Sequence, residues 1–424
     1  MVAFMFISLL IFFLIGVPIA LALGLSTALT VYLGDLRSLQ IVAQQIFNSL
    51  NSFPLMAIPF FMVAGNLMQS GGISKRLVNF AYTLVGHITG GLAMVAIVTS
   101  MFFAAISGSG AATTAAVGSI LIPAMIKKGY DANYASANQA VSGALGVIIP
   151  PSIPLILYGI AAKQSIGDLF MAGVLPGVFV TVTLLLAAYI VAKKRGYVGV
   201  ERSTLKDIWK AFKGAIFSLL MPLIVLGGIY GGIFTPTEAA VVAVVYSLFI
   251  GFVVYKELRI KDLPGIFKES AVTTAVIMII IGTAGLFSYI INLLDVPNMI
   301  SEAVLSATSS KIAFLIVVNI LLLITGMFVE AAAAILIFVP ILMPVVETLG
   351  IDPIHFGVIM VVNLAMGMIT PPVGLNLFVA SRIANIKIER ISKAIMPFVA
   401  ILLVDVLIIS FIPALSTWLP SLLR

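Results

Sequence analysis

The sequence predicts an all-α polytopic membrane protein built from two inverted repeats of five spans. Three observations support this fold class. Of 424 residues, 62% are hydrophobic and 9% are charged, and the mean hydropathy is +1.23; a soluble core could not hide so much apolar surface. Proline and glycine residues of the first half recur in the second at one constant spacing. Lys and Arg gather in loops that this fold would place on one side of the membrane.

Composition also excludes several kinds of chemistry. The chain contains no cysteine, so it has neither disulfides nor thiolate metal sites, and His87 and His355 are its only imidazoles. It lacks the HExxH, P-loop and strand-linked GxGxxG patterns. We therefore expect a protein that is not an enzyme.

The repeat is visible without gaps when residue i is compared with residue i+221. Between 120–176 and 341–397, 12 of 57 pairs are identical, against about five expected by chance for this apolar composition. The identities include residues that shape the backbone. They pair Pro123 with Pro344, Gly129 with Gly350, Asp131 with Asp352, Gly146 with Gly367, Pro150-Pro151 with Pro371-Pro372, and Pro176 with Pro397.

Each half runs through the same order of elements. The first, 1–200, comprises scaffold spans at 1–69, a hairpin at 90–126, a broken helix at 133–161 and a last span at 172–192. The second, 201–424, comprises scaffold spans at 215–292, a hairpin at 311–347, a broken helix at 355–384 and a last span at 394–418. The segment 90–126 is too long for one crossing and carries SGSGAATT at its centre, which predicts a re-entrant hairpin. Amphipathic arms are expected at 37–50 and 257–270.

Five crossings per half is an odd number, so the second half must be inverted. Charge placement agrees with this inversion and predicts that both termini lie outside. The expected cytoplasmic loops hold Lys75, Arg76, Lys127, Lys128, the basic run 193–213, the run 256–268, Arg382, Lys387, Arg390 and Lys393. The expected outer loops hold only Arg37, Lys163, Lys311 and Arg424.

The paired prolines at 150–151 and 371–372 should break their helices inside the membrane. Unwound backbone is tolerated there only beside protein or a water-filled cavity, so each break predicts a cavity. Freed carbonyls can hold a cation, and half-helix N-termini can hold an anion. The small-residue run at 107–119 would let a hairpin tip approach a break closely. Simple kinks and helix packing are the alternative interpretations of these two motifs.

Two acidic residues lie in apolar surroundings. Glu330 falls at the centre of the second hairpin, where a carboxylate costs about 2.5–3.5 kcal/mol on insertion scales, so it marks either an ion site or a tip solvated by the cavity. Asp405 is expected to pair with a neighbouring helix. Trp209 and Trp418 are expected to be interface anchors, and both histidines to lie at the membrane interfaces.

Four sequence motifs resemble those of a known protein family. SGSGAATTAAVGSILIPAMIKKGYD, GALGVIIPPSIPLILYG, GMFVEAAAAILIFVPILMP and NLAMGMITPPVGLNLFV resemble the large membrane subunit of tripartite ATP-independent periplasmic (TRAP) transporters. The resemblance covers essentially the whole chain. It implies an elevator-type ion-transporter superfamily architecture, in which the hairpins and broken helices move against a scaffold.

The resemblance also implies the residues of the site. A first sodium site would comprise Ser107, Gly108, Gly110, Gly146 and Pro150. A second would comprise Val329, Glu330, Ala331, Gly367 and Thr370. The substrate carboxylate would meet Ser109, Ser152 and Asn376.

The implied activity is import of an organic acid, coupled to two or more Na⁺ ions. The implied location is a bacterial inner membrane, and the implied partners are a small four-helix membrane subunit and a periplasmic substrate-binding protein. Sialic acid is the expected substrate, and a C4-dicarboxylate is the alternative. An anion channel or a proton-coupled antiporter of the same fold are the alternative mechanisms; the antiporter would depend on Glu330 or Asp405.

Overall fold

The computed structural model describes residues 1–307 and 310–423, and Arg424 lies outside the described residues. These residues form α-helices joined by short turns, without a β-strand among them. The helices of the first half are α1 (Val2–Leu14), α2 (Ile19–Leu33), α3 (Gln40–Leu50), α4 (Ala57–Ser70), α5 (Ile73–Val85), α6 (Gly91–Ser107), α7 (Gly110–Lys127), α8 (Ala132–Ile148), α9 (Ile153–Ala161) and α10 (Ile166–Arg195).

The second half repeats this order of elements, except that one helix, α13, takes the places of α3 and α4, and one further helix follows at the end. Its helices are α11 (Leu205–Tyr230), α12 (Pro236–Phe249), α13 (Leu263–Leu293), α14 (Val296–Ala307), α15 (Lys311–Phe328), α16 (Ala331–Thr348), α17 (Pro353–Gly367), α18 (Leu375–Ala384), α19 (Ile388–Phe411) and α20 (Ala414–Leu423). Within the described residues, ten helical segments are long and apolar enough to cross a membrane. The all-α polytopic fold is therefore confirmed.

Residues matched by the 221-residue shift have the same structural role in both halves. Gly129 and Gly350 both adopt positive φ, +85° and +61°, in the turn after the hairpin. This left-handed conformation is one that glycine adopts without steric cost. Both breaks contain a cis peptide bond, Pro150-Pro151 and Pro371-Pro372. The shared sequence pattern is thus a shared backbone path.

Contacts between the halves are reciprocal. Helix α7 packs on α18 while its counterpart α16 packs on α9, and α8 packs on α19 while α17 packs on α10. Reciprocal contacts of this kind are what a two-fold axis produces. With five spans in each repeat, that axis must lie in the membrane plane, which makes the repeats inverted. The division of each repeat into a scaffold and a moving part stays a prediction.

Three predicted boundaries differ from the structure. The arm expected at 257–270 is not separate, because α13 continues unbroken from Leu263 through its polar first turns to Leu293. The last span expected at 394–418 is interrupted, since α19 ends at Phe411 just before Pro413 and α20 starts at Ala414. Helix α10 begins at Ile166 rather than 172.

Aspartate caps begin α8 and α17, the first segments of the two broken helices. Asp352 Oδ1 accepts the backbone N–H groups of Ile354 at 2.8 Å and His355 at 3.0 Å. Asp131 Oδ1 accepts the N–H of Tyr134 at 2.9 Å. Each cap satisfies donors that the helix itself leaves without a partner.

We expect Asp352→Ala to lower the free energy of unfolding by about 1 kcal/mol, because it removes this cap. Thermal unfolding of the purified chain in detergent measures the effect. Asp352→Asn is the matched control, since asparagine caps as well as aspartate does. Equal losses of stability in the two variants would show that the cap is not what Asp352 contributes.

Candidate functional site

The first hairpin tip lies directly against the first break. Gly108 ends α6 with φ +62°, and its carbonyl accepts the backbone N–H of Ile153 at 3.2 Å. A Cβ added at Gly108 would lie 2.9 Å from the Pro151 carbonyl oxygen. Only glycine lets the tip come this close, which explains the small residues of SGSGAATT.

Hydroxyl and carbonyl oxygens cluster beside this contact. Ser107 Oγ and Thr113 Oγ1 are 2.7 Å apart, and Thr113 Oγ1 donates to the Ser109 carbonyl at 2.8 Å. The nearest atoms to a Cβ built on Gly146 would be Ser109 O and Thr113 Oγ1. Uncharged oxygens gathered at an unwound helix are ligands that suit Na⁺. Ser107, Gly108 and Gly146 of the predicted first sodium site therefore come together.

The second hairpin also packs closely on the second break, where a Cβ on Gly367 would lie 2.5 Å from the Gly326 backbone. Helices α15 and α17 cross at Gly326 and Gly367, where a Cβ on Gly326 would lie 3.1 Å from the Gly367 Cα. The N–H of Gly374 faces the Met327 carbonyl at 3.5 Å. Thr370 Oγ1 donates to the Met366 carbonyl at 2.7 Å, within its own break. The residues of the predicted second sodium site thus lie in one region. The described residues there do not form a cluster of hydroxyl and carbonyl oxygens like the one at the first tip.

Glu330 occupies the position in the second tip that Ser109 occupies in the first. Each precedes the first residue of the returning helix, Gly110 in α7 and Ala331 in α16. Ser109 Oγ accepts the N–H of Ala112 at 3.4 Å, whereas Glu330 makes no such capping bond. The Glu330 side chain is exposed to a cavity and forms no salt bridge among the described residues. Its carboxylate is available to a ligand in that cavity.

One cavity joins both tips and both breaks. About 60 Å³ of it is open to water molecules, enough for about four to six waters at 10–15 Å³ each. Its lining is Met62, Gly108–Ala111, Val147, Ile153, Pro154, Thr273, Ile277, Glu330–Ala332, Met368 and Leu375. Met62 lies on α4, and Thr273 and Ile277 lie on α13, the equivalent helix of the other repeat. The cavity therefore lies between the tips and breaks on one side and the third span of each repeat on the other.

Four helix N-termini end at this cavity. The first residues of α7, α9, α16 and α18, namely Gly110, Ile153, Ala331 and Leu375, all line it. Each N-terminus carries a partial positive charge and backbone N–H groups without helical partners. Among the described lining residues none is Lys or Arg. The cavity can therefore attract an anion through backbone dipoles instead of a basic side chain.

The structure separates the three side chains predicted to meet the substrate. Ser109 lines the cavity. Ser152 is fully buried, and its hydroxyl donates to the Val147 carbonyl at 2.5 Å. Asn376 is also fully buried, with Nδ2 donating to the Ala140 carbonyl at 3.2 Å. Their contact with substrate stays a prediction, and this arrangement favours Ser109 alone.

Predicted sodium ligands also divide into two groups. Those that line the cavity are Gly108, Gly110, Glu330 and Ala331. Those outside its lining are Ser107, Gly146, Pro150, Val329, Gly367 and Thr370. The ligand assignments stay predictions.

Sequence reasoning missed Thr113 and the scaffold wall of the cavity. Thr113 is part of the quoted SGSGAATT motif, and its hydroxyl lies one helical turn beyond Ser109, so the i+4 spacing was available as a signal. Met62, Thr273 and Ile277 carry no such signal. They reach the cavity only because α4 and α13 pack there.

Asp405 and His355, two buried polar residues that the sequence analysis singles out, have structural partners. Asp405 Oδ2 accepts the Thr183 hydroxyl at 2.6 Å, which confirms the expected pairing with a neighbouring helix. His355 is 3% exposed and bonds to Ser416 Oγ at 2.6 Å. It thus lies beneath α20 and is not exposed at an interface as expected. Among the described residues, no group of three or more His, Asp or Glu could hold a metal ion.

Comparison with known proteins identifies the family. The model described as "Tripartite ATP-independent periplasmic transporter, DctM component" matches residues 6–415. The chain is 44% identical over 400 residues to the C4-dicarboxylate TRAP transporter large permease protein DctM of Pseudomonas aeruginosa, covering 94% of each. It is 37% identical over 407 residues to the sialic acid TRAP transporter large permease protein SiaM of Vibrio cholerae, covering 96% of this chain and 95% of that one.

A longer relative and a solved structure complete the comparison. The chain is 49% identical over 405 residues to the isethionate TRAP transporter permease protein DctMQ of Oleidesulfovibrio alaskensis, covering 95% of this chain but 64% of that protein. The crystal structure of the Alcanivorax borkumensis YdaH transporter aligns with a TM-score of 0.63 at 15% identity, covering 88% of each chain; that likeness concerns the fold alone. The motifs, the fold and these matches agree: the chain belongs to the DctM component family of TRAP transporters, the large membrane subunits.

Proposed function

We propose that this chain is the membrane permease subunit that imports a small organic anion together with two or more Na⁺ ions. The observation that carries the proposal is the convergence of four helix N-termini on one cavity without a Lys or Arg among its described lining residues. Helix N-termini at the membrane midplane favour anionic substrate groups. The names of the relatives, which transport isethionate, C4-dicarboxylates or sialic acid, support an acid as the substrate.

Sodium coupling is supported by the oxygen cluster at the first tip and by energetics. One Na⁺ entering down about 100 mV gains about 2.3 kcal/mol, and a tenfold gradient adds about 1.4 kcal/mol. Two ions therefore supply about 7.4 kcal/mol, and a monoanion costs about 2.3 kcal/mol to import. The remainder of about 5 kcal/mol permits accumulation of several thousandfold, whereas one ion would permit only about tenfold. The two tip–break pairs offer two places for these ions.

The position of the cavity supports an elevator-type movement. Its walls come from the tips and breaks on one side and from α4 and α13 on the other. If the tips and breaks move as one body along this boundary, the substrate changes sides without leaving its helix N-termini. An anion channel would not need a cavity with the hairpin tips and breaks on one side and separate helices on the other. A proton-coupled antiporter is the second candidate, because Glu330 lines the cavity without a salt bridge.

The proposed setting is that of the family. The family description is of a tripartite periplasmic transporter, and we propose a small four-helix membrane subunit and a periplasmic substrate-binding protein as the two other components. The DctMQ relative, of which this chain covers 64%, is a longer permease protein. We propose the bacterial inner membrane as the location, with both termini periplasmic, and no enzymatic activity.

A compact acid is a better candidate substrate than the sialic acid expected from the resemblance. The cavity has room for about four to six waters in this conformation, which is small for a nine-carbon sugar acid. Identity is higher to the isethionate and C4-dicarboxylate permeases, 49% and 44%, than to the sialic acid permease, 37%. We therefore place isethionate and C4-dicarboxylates before sialic acid.

Uptake into proteoliposomes tests the proposal. The chain is reconstituted with its small membrane subunit, binding protein is added outside, and radiolabelled isethionate, succinate and sialic acid are compared under inward Na⁺ and K⁺ gradients. We expect uptake of one compact acid that requires Na⁺, rises sigmoidally with Na⁺ concentration and increases with inside-negative potential. Sialic acid uptake under the same conditions would keep the mechanism and change the substrate. Uptake that is indifferent to Na⁺ would overturn sodium coupling and favour the proton-coupled candidate.

A further inference from the structure

A second polar cavity lies between α5 and α11. Its volume is about 350 Å³, and its lining includes Arg76, Asn79, Thr83 and Lys210. None of its lining residues belongs to the cavity that joins the hairpin tips. The transport proposal leaves this cavity without a role.

With Arg76 paired to Glu257, the lining carries one further cation, Lys210, and one acid, Asp207. The Arg76 guanidinium is already engaged, at 2.7 Å from Glu257 and 3.7 Å above the Tyr255 ring. Lys210 is exposed and forms neither a hydrogen bond nor a salt bridge among the described residues. The one acid in the lining, Asp207, is held in the capping box at the start of α11, where it accepts the Thr204 hydroxyl at 2.6 Å. Lys210 is thus the cation available to an anionic ligand.

Neighbouring residues place the cavity at the level of a membrane surface. Trp209, next to Lys210, is 57% exposed, and Lys213 Nζ lies 5.4 Å from the centre of its ring. Leu205, one turn earlier, is 85% exposed. Exposed Trp and Leu beside lysines are typical of the layer where lipid head groups lie. A cavity in this layer opens among the phosphate groups of the lipid head groups.

We propose that the cavity between α5 and α11 binds a phosphate group, supplied by the head group of an anionic phospholipid. Lys210 supplies the charge, Asn79 and Tyr82 supply amide and hydroxyl donors, and Arg76 closes one end. Basic pockets between membrane helices commonly hold such head groups. Helix α5 packs on both α11 and α6, the first arm of the hairpin. The bound lipid would therefore lie where the scaffold meets the moving part.

Thermal unfolding of the purified full-length chain tests this site, with phosphatidylglycerol, phosphatidylcholine or inorganic phosphate titrated into the detergent. The variants are Lys210→Ala and its matched control Lys206→Ala, which removes the same charge one turn earlier on α11, outside the cavity lining. We expect saturable stabilisation by phosphatidylglycerol but not phosphatidylcholine. Lys210→Ala should raise the half-saturating concentration about fivefold, the equivalent of about 1 kcal/mol, and Lys206→Ala less than twofold.

Two results would overturn the proposal. Equal weakening by Lys206→Ala and Lys210→Ala would indicate general surface charge instead of a site. Equal stabilisation by the two lipids would indicate an effect of the acyl chains, without a preference for the anionic head group. Stabilisation by inorganic phosphate alone, lost in Lys210→Ala, would keep the phosphate site and assign it to a soluble ligand. None of these readouts depends on transport, so failure of the transport proposal leaves this test valid.

Discussion

Gly146→Ala should reduce sodium-driven uptake by about 100-fold, although it adds a single methyl group. That methyl would overlap the Ser109 carbonyl oxygen and the Thr113 hydroxyl of the first tip. The carbonyl belongs to the backbone and cannot rotate away, so the tip must move. Displacement of a site by about 1 Å can cost about 100-fold in rate. The half-saturating Na⁺ concentration should rise as well, because the displaced atoms are the oxygens proposed to hold the ion.

Alanine at this position should not weaken the helix itself. Gly146 lies inside α8, where alanine is favoured over glycine by about 1 kcal/mol. The matched control is Gly227→Ala in α11, where an added Cβ meets no atom within 4 Å. Initial uptake rates across a Na⁺ titration, with thermal unfolding of both variants, separate lost transport from lost folding. Normal Na⁺-dependent uptake by Gly146→Ala would show that tip and break need not touch for transport.

Glu330→Gln should abolish most uptake under a sodium gradient and distinguish the two candidate couplings. The carboxylate lines the cavity and makes no salt bridge among the described residues, so its charge is available to a transported cation. Two unit charges about 4 Å apart attract by about 4 kcal/mol at an effective dielectric of about 20. Loss of even a third of this attraction weakens Na⁺ binding about tenfold. We therefore expect the half-saturating Na⁺ concentration to rise at least about tenfold.

Glu347→Gln is the matched control, since it makes the same change in the last turn of α16, where the side chain is exposed. Uptake is measured as a function of Na⁺ at fixed pH, and of pH at fixed Na⁺. A variant that loses pH dependence while keeping normal Na⁺ dependence would assign Glu330 to a proton. Unchanged uptake would remove Glu330 from the coupling mechanism.

Local sequence determined most of the backbone path. Proline pairs end α8 and α17, Asp131 and Asp352 start them, and Gly129 and Gly350 make the turns before them, all at one spacing. Each of these residues acts through its own dihedral angles or through donors within one helical turn. Such effects need no tertiary partner, so the repeat and its broken helices could be predicted. Thr204 and Asp207 also carry a capping-box signal for the start of α11, ten residues before the predicted span.

Contacts between distant helices could not be predicted from the same signals. Ser152 and Asn376 are polar residues beside the breaks, and the sequence does not indicate that each turns to a helix carbonyl and away from the cavity. Thr273 and Ile277 look like other residues of an apolar span, yet they face the hairpin tips. Helical periodicity specifies which residues share a face, but it does not specify which neighbour covers that face.

The sequence by itself determined that this chain is a membrane protein with two repeated, broken-helix halves, because hydropathy, proline and glycine act locally. Only the tertiary structure decided that both tips, both breaks and the third span of each repeat enclose one cavity. The physical reason is that the proposed anion site of four helix N-termini requires four segments from two halves to meet. These segments are brought together by the packing of α7 on α18 and of α16 on α9. The paired helices are far apart in the sequence, and no local sequence pattern indicates that they pack.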